Sequence, residues 1–433
     1  MAWAYGLGMG CITQWMLILG MTNLPYNFWI IHIPLLFVAG LGYFFKKRKR
    51  HPINQQTITQ QPSPPEFFLW PLNIKICWFL CLSYLLYQIY FIFIISLQQP
   101  ISSWDAIYFI AKKAKVFFYD HSMRQLPNFP WAFYPFHVTL AETWYAFCLG
   151  KWHETWIQII FPVTFLSLAI IIYDFLRRET STLWAMGGIM LLTASNLLLS
   201  HATISYSDLF QLFYFSTTIL CIILWGKTNE EGLLIIASLL AGFGTFCKLE
   251  GLFYFGIAMI ILNIVLSMRG EALRTKGRTL LRFIFPGISI YSIFLFYKWI
   301  HKIPAIGRLY FDFTLSKLDR LPIIFTELVN NLFFSNNWGI IWFLLVMAMI
   351  INYPKIKNQT ILLFTLLLWL CFSFLIFLGL LTSNFEYLFG NQRVLSSSRL
   401  LMHFMPFAAI ITILLLAPLK QHHFPLHTKK NIV

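Results

Sequence analysis

Charged residues are scarce in this chain. Only 11% of its 433 residues are Asp, Glu, Lys or Arg, whereas soluble domains carry roughly 25%. Acidic residues are the scarcer kind, since 16 Asp and Glu stand against 32 Lys and Arg. This composition excludes an ordinary soluble protein, and the 58% of hydrophobic residues indicates a polytopic membrane protein.

Long polar segments are also missing. The longest gaps between apolar runs are residues 46–72, 99–154 and 300–337, and each is too short to bury an independent core of ordinary size. The seven cysteines fall almost wholly within apolar runs and show neither a zinc spacing nor a disulfide framework. Any catalytic or binding apparatus must therefore be built from loops and helix ends.

The apolar runs predict an all-α polytopic membrane protein. A span needs about 20 mostly apolar residues, and about twelve windows meet that length. We read the first window as an anchor, because no basic segment precedes it and no cleavage site is clear. The windows are residues 3–20, 27–45, 73–97, 155–176, 182–200, 208–226, 232–248, 251–267, 283–299, 338–352, 359–382 and 400–418.

Basic clusters set the predicted orientation. Lys46–Arg50 and the arginines between residues 269 and 282 are expected in the cytoplasm. The two clusters agree only if residues 136–150 lie in the membrane interface as a short amphipathic helix instead of crossing. Residues 99–154 then form the first extracytoplasmic loop. We divide the chain into two N-terminal helices with a basic linker (1–72), a membrane core (73–418) and a cytoplasmic tail (419–433).

The first extracytoplasmic loop holds an acid close to basic residues. Asp105 precedes an apolar run with helical spacing, so it is either an acid favoured by a helix dipole or a base for an acceptor hydroxyl or amine. Lys113 and Lys115 either extend to the membrane surface or bind a phosphate as point charges. An anion-binding site beside a carboxylate is therefore one of the readings of this loop.

The same loop ends at Tyr134-Pro135. Pro135 fixes the start of the helix that follows and biases Tyr134 toward an extended backbone, and the Tyr134 hydroxyl is a candidate substrate contact. His137, near the start of that helix, is either a structural residue or a proton carrier. Both residues are kept as candidate substrate contacts.

Later helix ends on the same predicted side carry further charges. Asp208, in Tyr206-Ser207-Asp208, is explained by helix capping alone or by a site. Lys248 and Glu250 lie between two apolar runs, where ionisable groups are usually functional or mutually paired. Arg393 and Arg399 precede the last helix, and Arg399 opens it where its charge opposes the helix dipole, which an external anion would explain.

Taken in order, these signatures resemble the GT-C superfamily of integral-membrane glycosyltransferases. The similarity is to bacterial members of the protein-O-mannosyltransferase and aminoarabinose-transferase kind, over roughly residues 73–410. Two helices precede the usual first one, the paired acid beside the first Asp is absent, and no large C-terminal extracytoplasmic domain follows. The matching residues are Trp104-Asp105-Ala106, Lys113-Ala114-Lys115, Tyr134-Pro135, Tyr206-Ser207-Asp208, Lys248-Leu249-Glu250-Gly251, and Arg399 with Pro406.

The resemblance implies a GT-C fold and a glycosyltransferase of the bacterial inner membrane whose active site faces the periplasm or exterior. Such an enzyme moves a sugar from a polyprenyl-phosphate donor to a glycan, lipid or protein acceptor. Asp105 would be the base, with no metal or other cofactor. The phosphate would be held by Lys113, Lys115, Lys248 and Arg399, and the remaining substrate contacts would be Tyr134, His137, Tyr206, Asp208, Glu250 and Arg393.

Other functions remain open at the level of sequence. A transporter or flippase of a lipid-linked or anionic solute would use the same basic residues, but we find no internal or inverted repeat. A polymerase or ligase of surface polysaccharide would need a large late loop, and residues 383–399 are short for that. Nucleic acid is not expected as a partner, because the basic residues are divided between two sides of a membrane.

Overall fold

The computed structural model describes residues 2–48, 70–304, 315–381, 389 and 395–420. This part of the chain is helical and contains no β-strand. Its α-helices, numbered in chain order, are α1 Ala2–Met21, α2 Phe28–Arg48, α3 Leu72–Gln98, α4 Lys112–Tyr119, α5 His137–Leu149, α6 Ile160–Glu179, α7 Thr182–Thr193, α8 Asn196–His201, α9 Ser207–Thr228, α10 Glu231–Thr245, α11 Gly251–Met268, α12 Leu273–Ile300, α13 Leu321–Val329, α14 Ile341–Ile351, α15 Gln359–Leu381, α16 Leu395–Met402 and α17 Met405–Leu416.

Seven helices in the described residues are long and apolar enough to cross a membrane. They are α1, α3, α6 with the 3-10 turn before it, α9, α11, α12 and α15. The pair α16–α17, bent by 44°, makes an eighth span if the two helices cross together. The chain is therefore an integral membrane protein, as its composition predicts.

The remaining predicted windows also coincide with helices. Four shorter apolar helices lie in α2, α7, α10 and α14, so every predicted window falls on an apolar helix. The total of twelve spans stays a prediction, because the apolar segments of these four helices have only 10–17 residues, and a span needs about 20. The linker after residue 48 and the tail after residue 420 lie outside the described residues.

Helix α9 is the centre of the fold. Its most apolar 18-residue window is completely buried by the helices around it, as expected for a helix that is hydrophobic on all sides. By contrast, only 17% of the corresponding window of α3 is buried. Because α9 begins with Ser207-Asp208, the polar start of the central helix is also enclosed by protein.

Close packing around α9 depends on small residues. A Cβ atom on Gly242 of α10 would lie 2.7 Å from the carbonyl oxygen of Gly287 in α12, so the two backbones touch as small residues permit in membrane helices. A Cβ on Gly251 would clash with the carbonyl of Gly244. Glycine is thus required where the chain turns from α10 into α11.

The first loop contains the helix predicted after Asp105, but the first turn of this helix is not a regular α-helix. Residues Ala106–Ala111 form a π-helical turn that continues into α4. The predicted interfacial helix is α5, and its polar side chains His137, Thr139, Glu142 and Thr143 are buried. The amphipathic pattern therefore indicates the helix correctly, while its polar face points into the protein because α1 and α4 cover it.

Candidate active site

Five ionisable side chains from four segments converge at the start of α9. Asp208 lies in the first turn of α9, Lys248 and Glu250 lie in the turn between α10 and α11, Arg399 lies on α16, and Asp105 begins the first loop. We call these five residues the ionic cluster. All five are predicted site residues, and the fold brings them together from positions up to 294 residues apart.

Asp208 is the fixed centre of the ionic cluster. Its side chain is fully buried, and its Oδ1 accepts a hydrogen bond from Lys248 Nζ at 2.9 Å. Its Oδ2 accepts from Arg399 Nη2 at 2.7 Å and Nε at 3.1 Å. The start of α9 has no side-chain cap, so pairing with two cations, and not helix capping, accounts for Asp208.

Arg399 links the buried and the accessible carboxylate. Its Nη1 lies 2.5 Å from Asp105 Oδ2, while the other side of the planar guanidinium binds Asp208. The guanidinium also stacks over the ring of Tyr206, 4.7 Å from the ring centre. Only a guanidinium offers this fork of several donors in one plane. Arg399 is thus an anion-binding group whose anions are supplied by the protein itself.

Lys248 is paired on both sides. Its Nζ lies 3.4 Å from Glu250 Oε1 in addition to the contact with Asp208. Burial alone would lower the pKa of Lys248, but the nearby carboxylates of Asp208 and Glu250 raise it well above its ordinary value. Lys248 is therefore a permanent cation that neutralises part of the charge of Asp208, in agreement with the ion-pair reading of the sequence.

Aromatic and histidine side chains enclose the ionic cluster. His403 Nε2 lies 3.7 Å from Asp208 Oδ1, and its Nδ1 shares a hydrogen bond of 2.8 Å with the Tyr254 hydroxyl. Burial lowers the pKa of His201 to about 4, so this ring is neutral at physiological pH. Burial also raises the pKa of Tyr134, whose hydroxyl lies within electrostatic range of Lys248 and Glu250.

The ionic cluster is partly accessible. The side chains of Asp105, Glu250 and Arg399 are 22%, 26% and 15% exposed, while Asp208 is 0% exposed. Three carboxylates stand against two cations. The accessible edge therefore presents two carboxylates, Asp105 and Glu250, and of these Asp105 contacts the guanidinium of Arg399.

Two predicted phosphate contacts, Lys113 and Lys115, pair with residues outside the ionic cluster. Lys113 is buried and its Nζ donates to the carbonyl of Trp131 at 2.9 Å, where Trp131 has a left-handed backbone with φ of 61°. Burial lowers the pKa of Lys113 to about 8. Lys115 forms an exposed ion pair with Glu154 at 3.2 Å. The π-helical turn changes the helical phase after Asp105, so the spacing expected for a regular helix does not apply.

His137 has a structural environment. Its Nδ1 shares a hydrogen bond of 2.9 Å with Thr13 of α1, and its Nε2 lies 3.1 Å from the Tyr214 hydroxyl of α9. Burial lowers the pKa of His137 to about 3, so the neutral ring joins α1, α5 and α9. Arg393 lies outside the described residues, and its predicted role stays a prediction.

Glu142 is a residue that sequence reasoning did not select. It lies on α5, is fully buried, and accepts a hydrogen bond from Ser205 Oγ. Burial raises the pKa of Glu142 to about 8, against the opposing effect of the Ser205 hydrogen bond. The available signal was that Glu142 is the single acid of α5. Through Ser205, Glu142 fixes the segment just before Tyr206 and Asp208, and so helps to position these two residues.

Within the described ranges, no group of three or more His, Cys, Asp or Glu side chains is arranged to hold a metal ion. The carboxylates of the cluster instead face Lys248 and Arg399. Metal independence of the chemistry stays a prediction.

The chain resembles solved membrane-protein structures. ArnT from Cupriavidus metallidurans in the apo state superposes with a TM-score of 0.51 and 14% identity, over 79% of this chain and 60% of that one. The chain has the fold of this ArnT structure. The oligosaccharyltransferase of Archaeoglobus fulgidus, in complex with Zn and sulfate, gives a TM-score of 0.44 and 11% identity, over 76% of this chain and 48% of that one.

The shared fold agrees with the fold that the resemblance of the ordered motifs implies. The sequence itself matches no protein-family model and no curated protein. At 14% identity the likeness concerns the fold alone, and the chain spans 60% of the length of the ArnT chain. The roles of individual residues therefore rest on the geometry of the ionic cluster.

Proposed function

We propose that this protein is a glycosyltransferase that moves a sugar from a polyprenyl-phosphate donor to a glycan, lipid or protein acceptor. The observation that carries the proposal is the contact of Arg399 with both Asp105 and Asp208 at the open edge of the cluster. A cation held by one buried and one accessible carboxylate can exchange the accessible one for an incoming anion. The donor phosphate is such an anion.

The exchange gives each residue a role in the transfer. The donor phosphate takes the place of Asp105 on Arg399, where charge-assisted hydrogen bonds stabilise the phosphate as it leaves. Asp105, freed from Arg399, accepts the proton of the acceptor group. The acceptor atom bonds to the anomeric carbon while the bond from that carbon to the phosphate oxygen breaks. Asp208 stays in place and keeps Arg399 oriented.

This assignment narrows the predicted phosphate site. Lys248 is held by Asp208 and Glu250, so we assign it to positioning Asp208 and not to direct phosphate contact. Lys113 and Lys115 have partners of their own within the first loop. Arg399 is then the main phosphate-binding residue, with the Tyr134 hydroxyl as a neighbouring hydrogen-bond donor.

A transporter or flippase is the alternative from another class. Transport through the helix bundle calls for ionisable residues facing a path near the membrane centre. Among the seven long described helices, charged residues are found toward the helix ends, as with Asp208 and Lys227 in α9. Clustering at one end favours chemistry at the membrane surface.

Transfer in proteoliposomes containing a polyprenyl-phosphate sugar tests the proposal. Asp105→Asn should lower the transfer rate roughly 100- to 10,000-fold, the range for loss of a general base. Asp120→Asn is the matched control, because Asp120 is an exposed acid of the same loop and should stay within about twofold of wild type. Unchanged transfer by Asp105→Asn would exclude Asp105 as the general base. Lipid movement without transfer by the wild type would favour the transporter.

A further inference from the structure

A large groove lies at the end of α9 opposite the ionic cluster. It has a volume of about 1750 Å³ and is bordered by the end of α9, the start of α10, the turn after α11 and the first half of α12. Helices α9 and α11 both begin at the cluster and end at the groove. With a rise of about 1.5 Å per residue, 22 and 18 residues separate the two places by roughly 27 to 33 Å.

That separation is the thickness of the hydrocarbon layer, about 30 Å. The groove therefore lies at the opposite surface of the membrane from Asp105. Arg274, Lys276, Arg278 and Arg282 occupy the first ten residues of α12, and the rest of this helix is mostly apolar. The 28-residue helix is longer than a span requires, so its basic start reaches the level of the lipid headgroups.

The groove is basic at this headgroup level. Arg269, Arg278 and Arg282 line it together with two acids, Glu231 and Glu271. Arg269 contacts Glu271 at 3.3 Å and Arg282 contacts Glu231 at 3.3 Å. One positive charge is left in excess. Hydroxyl and amide groups of Asn229, Thr275, Thr279, Ser289 and Ser292 add hydrogen-bonding capacity along the wall.

The inner part of the groove is apolar. Leu234 and Ile235 of α10 and Leu281, Phe285 and Ile288 of α12 line it. Phe285 is 77% exposed, which at this depth means exposure to acyl chains. The groove is also larger than the roughly 300 to 1,000 Å³ of a typical small-molecule site. A basic mouth continued by an apolar trough matches a molecule with a phosphate head and long hydrocarbon chains.

We propose that the groove binds an anionic glycerophospholipid from the leaflet opposite the ionic cluster. The phosphate contacts Arg278 and Arg282 at the mouth, and one acyl chain lies along the apolar trough between α10 and α12. Basic pockets between membrane helices bind anionic headgroups in this way, and guanidinium groups match phosphate geometry. The inference does not depend on the proposed transferase activity.

Binding to the purified full-length protein tests the inference. Native mass spectrometry of delipidated protein titrated with phosphatidylglycerol or phosphatidylcholine measures the first bound lipid. Arg278→Gln with Arg282→Gln should weaken phosphatidylglycerol binding roughly tenfold or more, at about tenfold per 1.4 kcal/mol lost. Arg274→Gln with Lys276→Gln is the matched control, because it removes the same charge from the same helix outside the groove.

A second variant tests the trough independently of charge. Ser289→Trp adds bulk beside Phe285 and should exclude the acyl chain, again weakening binding roughly tenfold. Equal loss in the groove and control variants, or equal affinity for the two lipids, would overturn the proposal. Glycerophosphate binding as tight as that of the lipid would also overturn it, since the site would then be one for a free phosphate. Unchanged thermal unfolding of each variant shows that the fold is intact.

Discussion

The two ends of α9 differ in how far their charges are exposed, although Arg269–Glu271 beside the groove is also mostly buried, at 2% and 11% exposed. At the start of α9, three carboxylates and two cations are locked in short contacts around the fully buried Asp208. At its end, three arginines and two glutamates surround an open groove, and the Arg282–Glu231 pair is 57% and 81% exposed. The signs follow the helix dipole, which favours anions at the start and cations at the end.

The difference in exposure between the two ends shows where ion pairs fix the positions of side chains. A buried ion pair gains little net stability, because desolvation offsets the attraction, so its retention at the start of α9 indicates a need for fixed positions. Exposed pairs contribute roughly 0 to 1 kcal/mol and leave their side chains able to rearrange. We therefore expect chemistry at the enclosed end and adaptable lipid contact at the open end.

Asp208→Asn should have the largest effect, because it leaves two buried cations without their central anion. Breaking a buried pair in this way costs about 3 to 5 kcal/mol. We expect a markedly lower midpoint of thermal unfolding in detergent and loss of sugar transfer. Adding Lys248→Met should recover part of the stability. A midpoint of unfolding equal to that of wild type would contradict the claim that the ion pairs at the start of α9 are costly to break.

Arg399→Lys should come next, because it keeps the charge but loses the planar fork. One ammonium group cannot contact both Asp105 and Asp208 as the guanidinium does. Losing one charged hydrogen bond, about 1.5 to 3 kcal/mol, should lower kcat/KM for the donor roughly 10- to 100-fold. Arg124→Lys, at an exposed site of the first loop, is the control. Wild-type kinetics for Arg399→Lys would exclude the phosphate role.

Apolar runs made the helices predictable, since burial in lipid requires them at span length whatever the tertiary packing. The members of the ionic cluster were predictable for a related reason. Asp105, Asp208, Lys248 and Arg399 are charges that interrupt apolar runs on one predicted side of the membrane, where charge is costly. Their individual roles stay predictions.

The hydrogen-bond and ion-pair partners of individual side chains could not be predicted, because they depend on helix rotation and on side-chain conformation. The π-helical turn after Asp105 moves Lys113 onto the carbonyl of Trp131, and no residue pattern announces such a turn. The surroundings of His137 and Glu142 could not be predicted, for one common reason. The polar face of α5 is covered by protein instead of facing the membrane surface, and a single sequence does not show which neighbour covers a helix.

Glu142→Gln should have a smaller, pH-dependent effect at the enclosed end. Burial raises the pKa of Glu142 from 4.5 to about 8, so the folded protein keeps a proton that the unfolded chain releases. The stability from this group is present below about pH 4.5 and is lost as pH rises through about 8. Gln keeps an acceptor for Ser205 and cannot ionise. The unfolding midpoint should therefore fall less between pH 6 and pH 9 in Glu142→Gln, and parallel curves would contradict this.

The smallest effects are expected from two exposed pairs, one in the first loop and one at the groove. Lys115–Glu154 lies in the same loop as Asp105, and Arg282–Glu231 lies at the groove. If the stability that an ion pair contributes depends on its burial and not on its place in the fold, both exposed pairs should contribute little. Lys115→Gln and Glu231→Gln should then each change the free energy of unfolding by about 0.5 kcal/mol or less. Both small changes should vanish at high salt, where exposed charges are screened. Transfer should stay within about twofold of wild type; a loss above about tenfold in Lys115→Gln alone would return Lys115 to the phosphate site that the sequence predicts.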